Sequence, residues 1–235
     1  STGVIRADSP DAVVAAEERV REILVAHGRP RDEPLLLERF VTGAEVAVEG
    51  LLRDGHLEPL AMFDKPDPLD GPYFEETIYV TPSRLSVERH RAVLHAVASG
   101  CRALGLRDGP VHAEVRVGED IPGAAPRVSV LEIAARSIGG LCSRVLRFGA
   151  DLSLEEIILR DTLGFGTDGL TPSSAASGVM MIPIPRTGIL ADVDGIDRAR
   201  GVPGVVGVEI TATLGRPIEA LPEGGRYLGF VFARG

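Results

Sequence analysis

The 235-residue chain has no tryptophan, two cysteines and a single lysine. Aromatic residues make up 4% of it, so a core has to be built from Val, Leu, Ile and Ala. Cys101 and Cys142 are too few for a disulfide framework and lack the paired spacing of a zinc motif. Cys101 falls in a helical pattern and reads as a small buried hydrophobe. Cys142 follows Gly139-Gly140, but no histidine stands in a context that would make it a nucleophile. Positive charge is scarce as well: 25 Lys and Arg against 34 Asp and Glu leave a net charge of −9. Nucleic-acid binding needs clustered cations, so a nucleic-acid partner is not expected. Neither a run of 18 apolar residues nor a signal-peptide pattern is found, and the expectation is a cytoplasmic protein with no membrane partner.

Turn formers are plentiful, with 28 Gly and 17 Pro. The pattern predicts a helix from Ser9-Pro10 to Gly28 and a strand at Pro34–Glu38. A hairpin turning at Asp54-Gly55 joins strands over Val46–Leu52 and Leu57–Phe63. A loop, Asp64–Pro72, holds Lys65, the only lysine; a solvated side chain is one reading of it. A helix over Ser86–Leu104 follows. Ser153 and Glu156 form a capping box for a helix to Leu163. Residues 164–177 read as a linker, followed by strands at Val179–Ile182, Val205–Thr211 and Tyr227–Ala233 with a short helix at Asp194–Arg200.

Two glutamates stand out. Val111–Val117 and Arg127–Ala134 have the composition of strands, joined by a turn-rich segment, and Gly123 lies midway between Glu114 and Glu132. An antiparallel hairpin there sets the two carboxylates opposite each other on one face. At about 4 Å and an effective dielectric near 20 their repulsion is roughly 4 kcal/mol. A shared proton, a flanking arginine or a divalent cation has to offset it. Glu132 sits in the apolar run Val130–Ala135, where an unpaired carboxylate is costly. Arg136 follows on the same face, an even step along the strand. Carboxylates plus an arginine suggest a metal-bound polyphosphate, although paired carboxylates at a hairpin mouth also simply face water.

Leu37–Val46, the Lys65 loop, His112-Ala-Glu114 and Leu131–Gly140 together resemble the ATP-grasp fold, in particular carboxylate–amine ligases of the L-amino-acid ligase type. Pro183–Gly188 and Tyr227–Arg234 are similar to the small C-terminal domain of that group. The resemblance implies an α+β chain: an antiparallel ATP-grasp sheet with flanking helices over residues 1–168, then a small C-terminal α/β domain over residues 169–235. It implies that Glu38, Arg39, Phe40 and Val41 hold adenine and that Glu45 accepts the ribose hydroxyls. Ser1, Thr2 and Gly3 correspond to the end of a phosphate-covering flap. Glu114 and Glu132 correspond to the ligands of Mg²⁺ (or Mn²⁺) on ATP, the co-substrate. Arg136 corresponds to the arginine at the transferring phosphoryl group, and Glu76, Gly139 and Gly140 to the amino-acid site. The activity implied is amide or peptide bond formation through an acyl phosphate, releasing ADP and phosphate. Its partners are a small-molecule carboxylate and an amine, and a homodimer is allowed.

Where many such enzymes carry a further metal-binding asparagine, this chain has Ala134. The resemblance also implies more chain on both sides, including the lysines that bind ATP phosphates, so a fragment with little ligase activity of its own is expected. The other readings are a non-catalytic nucleotide-binding or interaction module, and an ATP-grasp ligase of the biotin-carboxylase or purine-pathway kind.

Overall fold

The computed structural model describes residues 2–119, 121, 123–149, 151–167, 169, 171 and 173–235. Helix α1 (Pro10–Ala26) begins where the Ser9 hydroxyl accepts from the Ala12 amide, with Pro10 in the first turn, the capping that its sequence predicts. Strands β1 (Ala44–Arg53) and β2 (His56–Lys65) form a hairpin. Asp54 and Gly55 close it at positive φ, 49° and 79°, as the tight turn of a two-residue hairpin requires. Then come β3 (Ile78–Thr81), α2 (Val87–Ala103), β4 (Gly109–Val117) and β5 (Val128–Ala134). A 3₁₀ turn at Cys142–Val145 precedes α3 (Leu154–Thr162), capped by Ser153. The chain continues through β6 (Ser177–Ile182), β7 (Gly188–Ile189), α4 (Ile196–Arg200), β8 (Val205–Ile210), β9 (Pro217–Ile218) and β10 (Gly229–Arg234).

Eight strands make one sheet in the order β5-β4-β1-β2-β3-β6-β10-β8, with every neighbouring pair antiparallel. Strands β7 and β9 pair separately. The large antiparallel sheet with a few flanking helices agrees with the α+β architecture expected. Strands from both sides of residue 168 share the sheet, joined where Ile78–Thr81 of β3 pair with Met180–Ser177 of β6. Of the expected linker at 164–177, residues 168, 170 and 172 lie outside the described residues.

The strand expected at Pro34–Glu38 does not form. Leu36 and Leu37 are 81% and 77% exposed. The three consecutive leucines favour a strand locally, but the segment pairs with no strand of the sheet.

The sheet is covered on both faces. Val46, Val48 and Leu52 of β1 and Val111, Ala113, Val115 and Val117 of β4 pack against Val93, Val97 and Cys101 of α2. Ala47, Leu51, Phe63 and Tyr79 point the other way, into a cluster with Leu154 and Ile157 of α3, Phe148, Phe230 and Phe232. Two-sided burial explains the nearly continuous apolar run of β1, whereas β4 alternates apolar and polar residues although both its faces are covered. The polar residues that interrupt them, Glu45, Glu49, His112, Glu114 and Arg116, all fall on this second face by the two-residue alternation of a strand.

Strand β5 breaks that alternation once. Val128 pairs with Val117 and Ile133 with Ala113, and both reach the α2 cluster although they are an odd number of residues apart. The register shifts between Glu114 and Val115. This bulge carries Glu132 onto the face of Glu114; in an unbroken strand it would share the side of Val128.

Gly43 enters β1 with φ of 124°, and an added Cβ would lie 2.4 Å from the Val117 carbonyl oxygen. Gly43→Ala is therefore expected to cost about 2–3 kcal/mol. Urea unfolding should show a lower midpoint at unchanged slope; an unchanged midpoint would contradict this account of the β1 entry.

Candidate functional site

Lys65 is not a loop residue. It ends β2 opposite Glu45 and its side chain is 3% exposed. Its ammonium donates to Oε1 of Glu45 (2.7 Å), Glu76 (2.7 Å) and Glu114 (2.8 Å). Burial alone would lower the pKa of this amine. The attraction of Glu76, Glu114 and Glu45 outweighs that and holds it above the usual lysine range. The second oxygen of Glu45 accepts from Arg116 Nε at 2.9 Å. Arg116 also donates to the Gly43 carbonyl at 3.1 Å and to that of Leu69. Its guanidinium lies 5.4 Å from the centre of the Phe40 ring, and that of Arg6 lies 4.0 Å away; both are within cation–π range.

Glu114 is the meeting point of a second chain of contacts. Its Oε1 also lies 3.4 Å from the Tyr79 hydroxyl and 3.4 Å from His112 Nε2. The other ring nitrogen of His112 bonds to Glu49, a carboxylate only 1% exposed. Glu49 in turn accepts the Ile138 amide at 3.0 Å. Its buried carboxylate therefore ties β1 to the segment after β5, which leads to Gly139 and Gly140. Burial lowers the His112 pKa, but hydrogen bonds to Glu114 and Glu49 and their charges overcome it and raise it to about 9. For Glu114, burial pushes upward, while the His112 hydrogen bond and Lys65 pull it well below the usual carboxylate range. Burial, the largest influence on Glu76, raises its pKa; Lys65 opposes this and the Glu114 charge adds to it. Of these two, Glu76 takes up a proton before Glu114 as pH falls.

The register sets Glu114 directly opposite Glu132, the pairing that the midpoint at Gly123 predicts. Their surroundings differ from expectation. Glu132 is 57% exposed rather than embedded, because Val130 and Leu131 beside it are exposed too. Strand β5 stops at Ala134, yet Arg136 still reaches Glu132 at 3.7 Å. Among the described residues, the group of three carboxylates lying within 4.8 Å of one another is Glu45, Glu76 and Glu114 around Lys65, and Glu132 stands outside it. Glu45 is buried and Glu76 partly buried, so neither is a free surface charge. Phe40 and Val41 are half-buried, whereas Glu38 and Arg39 are exposed. Thr2 donates to the Gly224 carbonyl and the Gly3 amide to that of Pro222; Ser1 lies outside the described residues. Gly140 has φ of 63°, and Gly139 and Gly140 are exposed beside the Glu49-anchored segment. Cys142 is buried and its thiol is pushed up to about 12 by burial, which removes it as a nucleophile.

The donor set fits a hard divalent ion. Glu114 and Glu132 offer carboxylate oxygens, and among the described residues Glu132 is held by a long contact to Arg136. Mg²⁺ or Mn²⁺ completes its shell with water or phosphate oxygens, so Ala134 in place of an asparagine is compatible with binding. Reading the sequence alone misses Glu49, Arg116 and Tyr79 and gives Lys65 no role. The available signal is alternation: between Val111 and Val117, His112, Glu114 and Arg116 are every second residue and the positions between them are valine and alanine.

With the folded pKa of His112 near 9 and an unfolded value near 6.5, its protonation stabilises the fold fully below about pH 6.5 and is lost as pH rises through 9. In metal-free buffer the stability advantage of the wild type over His112→Gln is expected to shrink by on the order of 2–3 kcal/mol between about pH 6 and 9.5. A difference that stays flat over that range, measured by urea unfolding, would refute a charged imidazole.

Comparison with known proteins bears on what this arrangement is. Residues 1–145 match the model of an ATP-grasp domain, and residues 180–235 match L-amino acid ligase C-terminal domain 2. The alanine–anticapsin ligase of Bacillus subtilis is 27% identical over 190 residues, covering 73% of this chain and 38% of the relative. Carnosine synthase 1 of Gallus gallus is 31% identical over 176 residues, covering 70% of this chain and 18% of that protein. The chain thus spans less than two-fifths of the length of these curated relatives. The crystal structure of L-amino acid ligase from Bacillus licheniformis superposes with a TM-score of 0.78 at 25% identity, over 98% of this chain and 56% of that one. Biotin carboxylase from Campylobacter jejuni shares the fold, with a TM-score of 0.62 at 13% identity over 97% of this chain and 49% of that one. The ATP-grasp match takes in more than half of the chain and all of the carboxylates around Lys65; the chain belongs to the ATP-grasp family, and its last 56 residues are of the L-amino acid ligase type.

Proposed function

We propose that this chain carries the metal- and nucleotide-binding side of a ligase that joins a small carboxylate to an amine, both of amino-acid type. The observation that carries the reading is the bulge-fixed opposition of Glu114 and Glu132 on the sheet face where Lys65, His112 and Arg136 supply positive charge. The relatives named as ligases of alanine and of L-amino acids support the choice of substrate class.

In this reading a substrate carboxylate attacks the γ-phosphoryl of ATP, and an amine then displaces phosphate to give an amide, with ADP and phosphate released. Glu114 and Glu132 would hold Mg²⁺ or Mn²⁺, which when bound neutralises phosphate charge. Arg136, exposed beside Glu132, contacts the transferring phosphoryl group and the acyl phosphate. Glu45 accepts from the ribose hydroxyls, with Lys65 and Arg116 fixing its two oxygens. Phe40 and Val41 contribute to the adenine side, with Glu38 and Arg39 at its rim. Thr2 and Gly3 lie at the phosphate-covering edge. Glu76 faces the incoming ammonium, and Gly139 and Gly140 line the amino-acid site. Residues 1–168 and 169–235 act as the nucleotide-binding domain and the small C-terminal domain. A cytoplasmic location suits the reaction's need for ATP.

Thermal denaturation with Mg-ATP tests the reading. At 100 times its dissociation constant a ligand stabilises by about 2.7 kcal/mol, or roughly 5–10 °C in a chain of this size. Wild type is expected to show such a shift, and Glu132→Ala, at an exposed position, to lose at least half of it while keeping its ligand-free Tm. An unshifted wild type would favour the non-catalytic interaction module instead.

A further inference from the structure

In the proposed reaction Lys65 touches neither phosphate nor substrate and only fixes an oxygen of Glu45, yet it is the chain's only lysine and among its most enclosed charges. An ammonium has three donors and no acceptor. All three are spent on carboxylates, at 2.7, 2.7 and 2.8 Å, so none remains for a phosphate or a substrate. The three carboxylates come from different parts of the fold: Glu45 from β1, Glu76 from the segment before β3, and Glu114 from β4. Their oxygens lie within 4.8 Å of one another, a spacing that suits the ligands of a metal ion. What sits between them is a side chain of the protein itself.

Burying ions on this scale adds little net stability compared with a well-packed apolar core, so position is the better explanation. The contacts of Lys65, Tyr79 and His112 converge on one oxygen of Glu114, Oε1. None of these three contacts falls on Oε2, which is the oxygen that an ion shared with Glu132 would use. We propose that the Lys65 ammonium is a resident cation that stands in for a metal: it sets the mutual positions of Glu45, Glu76 and Glu114 and keeps divalent ions out of the inner position, confining the metal to the Glu132 side of Glu114. This rests on the reading of Glu114 as a metal ligand. Lys65 is thus a positioning residue, which acts through three carboxylates with different tasks. Arginine cannot replace it, because a planar guanidinium does not point three donors around a single centre.

The test uses Mn²⁺ alone, followed by electron paramagnetic resonance and by calorimetric titration. Lys65→Met removes the charge at similar side-chain length. It is expected to gain a site at least tenfold tighter for Mn²⁺ than any in the wild type, and Mn²⁺ should restore most of its lost Tm. A purely structural lysine would give a loss of Tm that Mn²⁺ does not repair. Lys65→Met that gains no affinity, or that stays unfolded by circular dichroism even with Mn²⁺ present, overturns the proposal. The double variant Lys65→Met/Glu76→Gln loses one charge of each sign and is expected to fold without metal, with Mn²⁺ affinity within about threefold of wild type. If its affinity remains as high as that of Lys65→Met, the new site lies elsewhere and the proposal fails. Mg-ATP shifts of the wild type and of Glu132→Ala separate the two ideas. An intact, Glu132-sensitive shift with no Mn²⁺ gain rejects only the role of Lys65, whereas an absent shift rejects the ligase reading itself.

Discussion

Everything at the candidate site converges on the carboxylate of Glu114. A charged group buried between two packed layers persists only when its partners are in place. Here Lys65 and His112 supply opposite charge and Tyr79 a hydroxyl. Those partners are themselves tethered: Lys65 by Glu45 and Glu76, and His112 by Glu49, whose other oxygen holds the Ile138 amide. The network therefore reaches from Arg116, beside Phe40, to the glycine-rich segment after β5. Each group has one geometry because its neighbour has one. Rigidity of this kind is what a site needs if phosphate charge is to be met by preorganised dipoles and ions rather than by mobile ones.

The sheet makes this network possible. Because β1 and β4 are covered on both faces, their polar residues cannot escape to water by tilting outward. Alternation sends the valines to α2 and the charges to the opposite face. The face of the sheet that holds the charges is also lined by Ala47, Leu51, Phe63 and Tyr79. The low polarity of that lining strengthens the ion pairs within it.

Much of the fold is legible in the sequence. The Asp54-Gly55 turn, the caps at Ser9 and Ser153 and the opposition of Glu114 and Glu132 follow from local chemistry and spacing. Local chemistry does not reveal whether a segment finds a pairing partner, and Leu35–Leu37 look like a strand and are not one. Nor does it reveal depth. Glu132 sits among apolar neighbours in sequence yet is exposed, whereas Lys65 follows an aspartate, precedes a proline and is buried. Strand order decides both: β5 is at the edge of the sheet and β2 is inside it. The roles of Glu49, Arg116 and Tyr79 depend on side chains meeting across four strands, information that no local window contains.

The bulge in β5 has a consequence for Glu132. With Val128 and Ile133 both seated on the helix, the phase of β5 is locked from within the strand pair. The two seats on α2 hold that phase at both ends of the strand, and the extra residue between them is what turns the acidic side chain away from the helix. Removing that one residue would swing the carboxylate into an apolar layer, so the strand's irregularity and its chemistry are one feature.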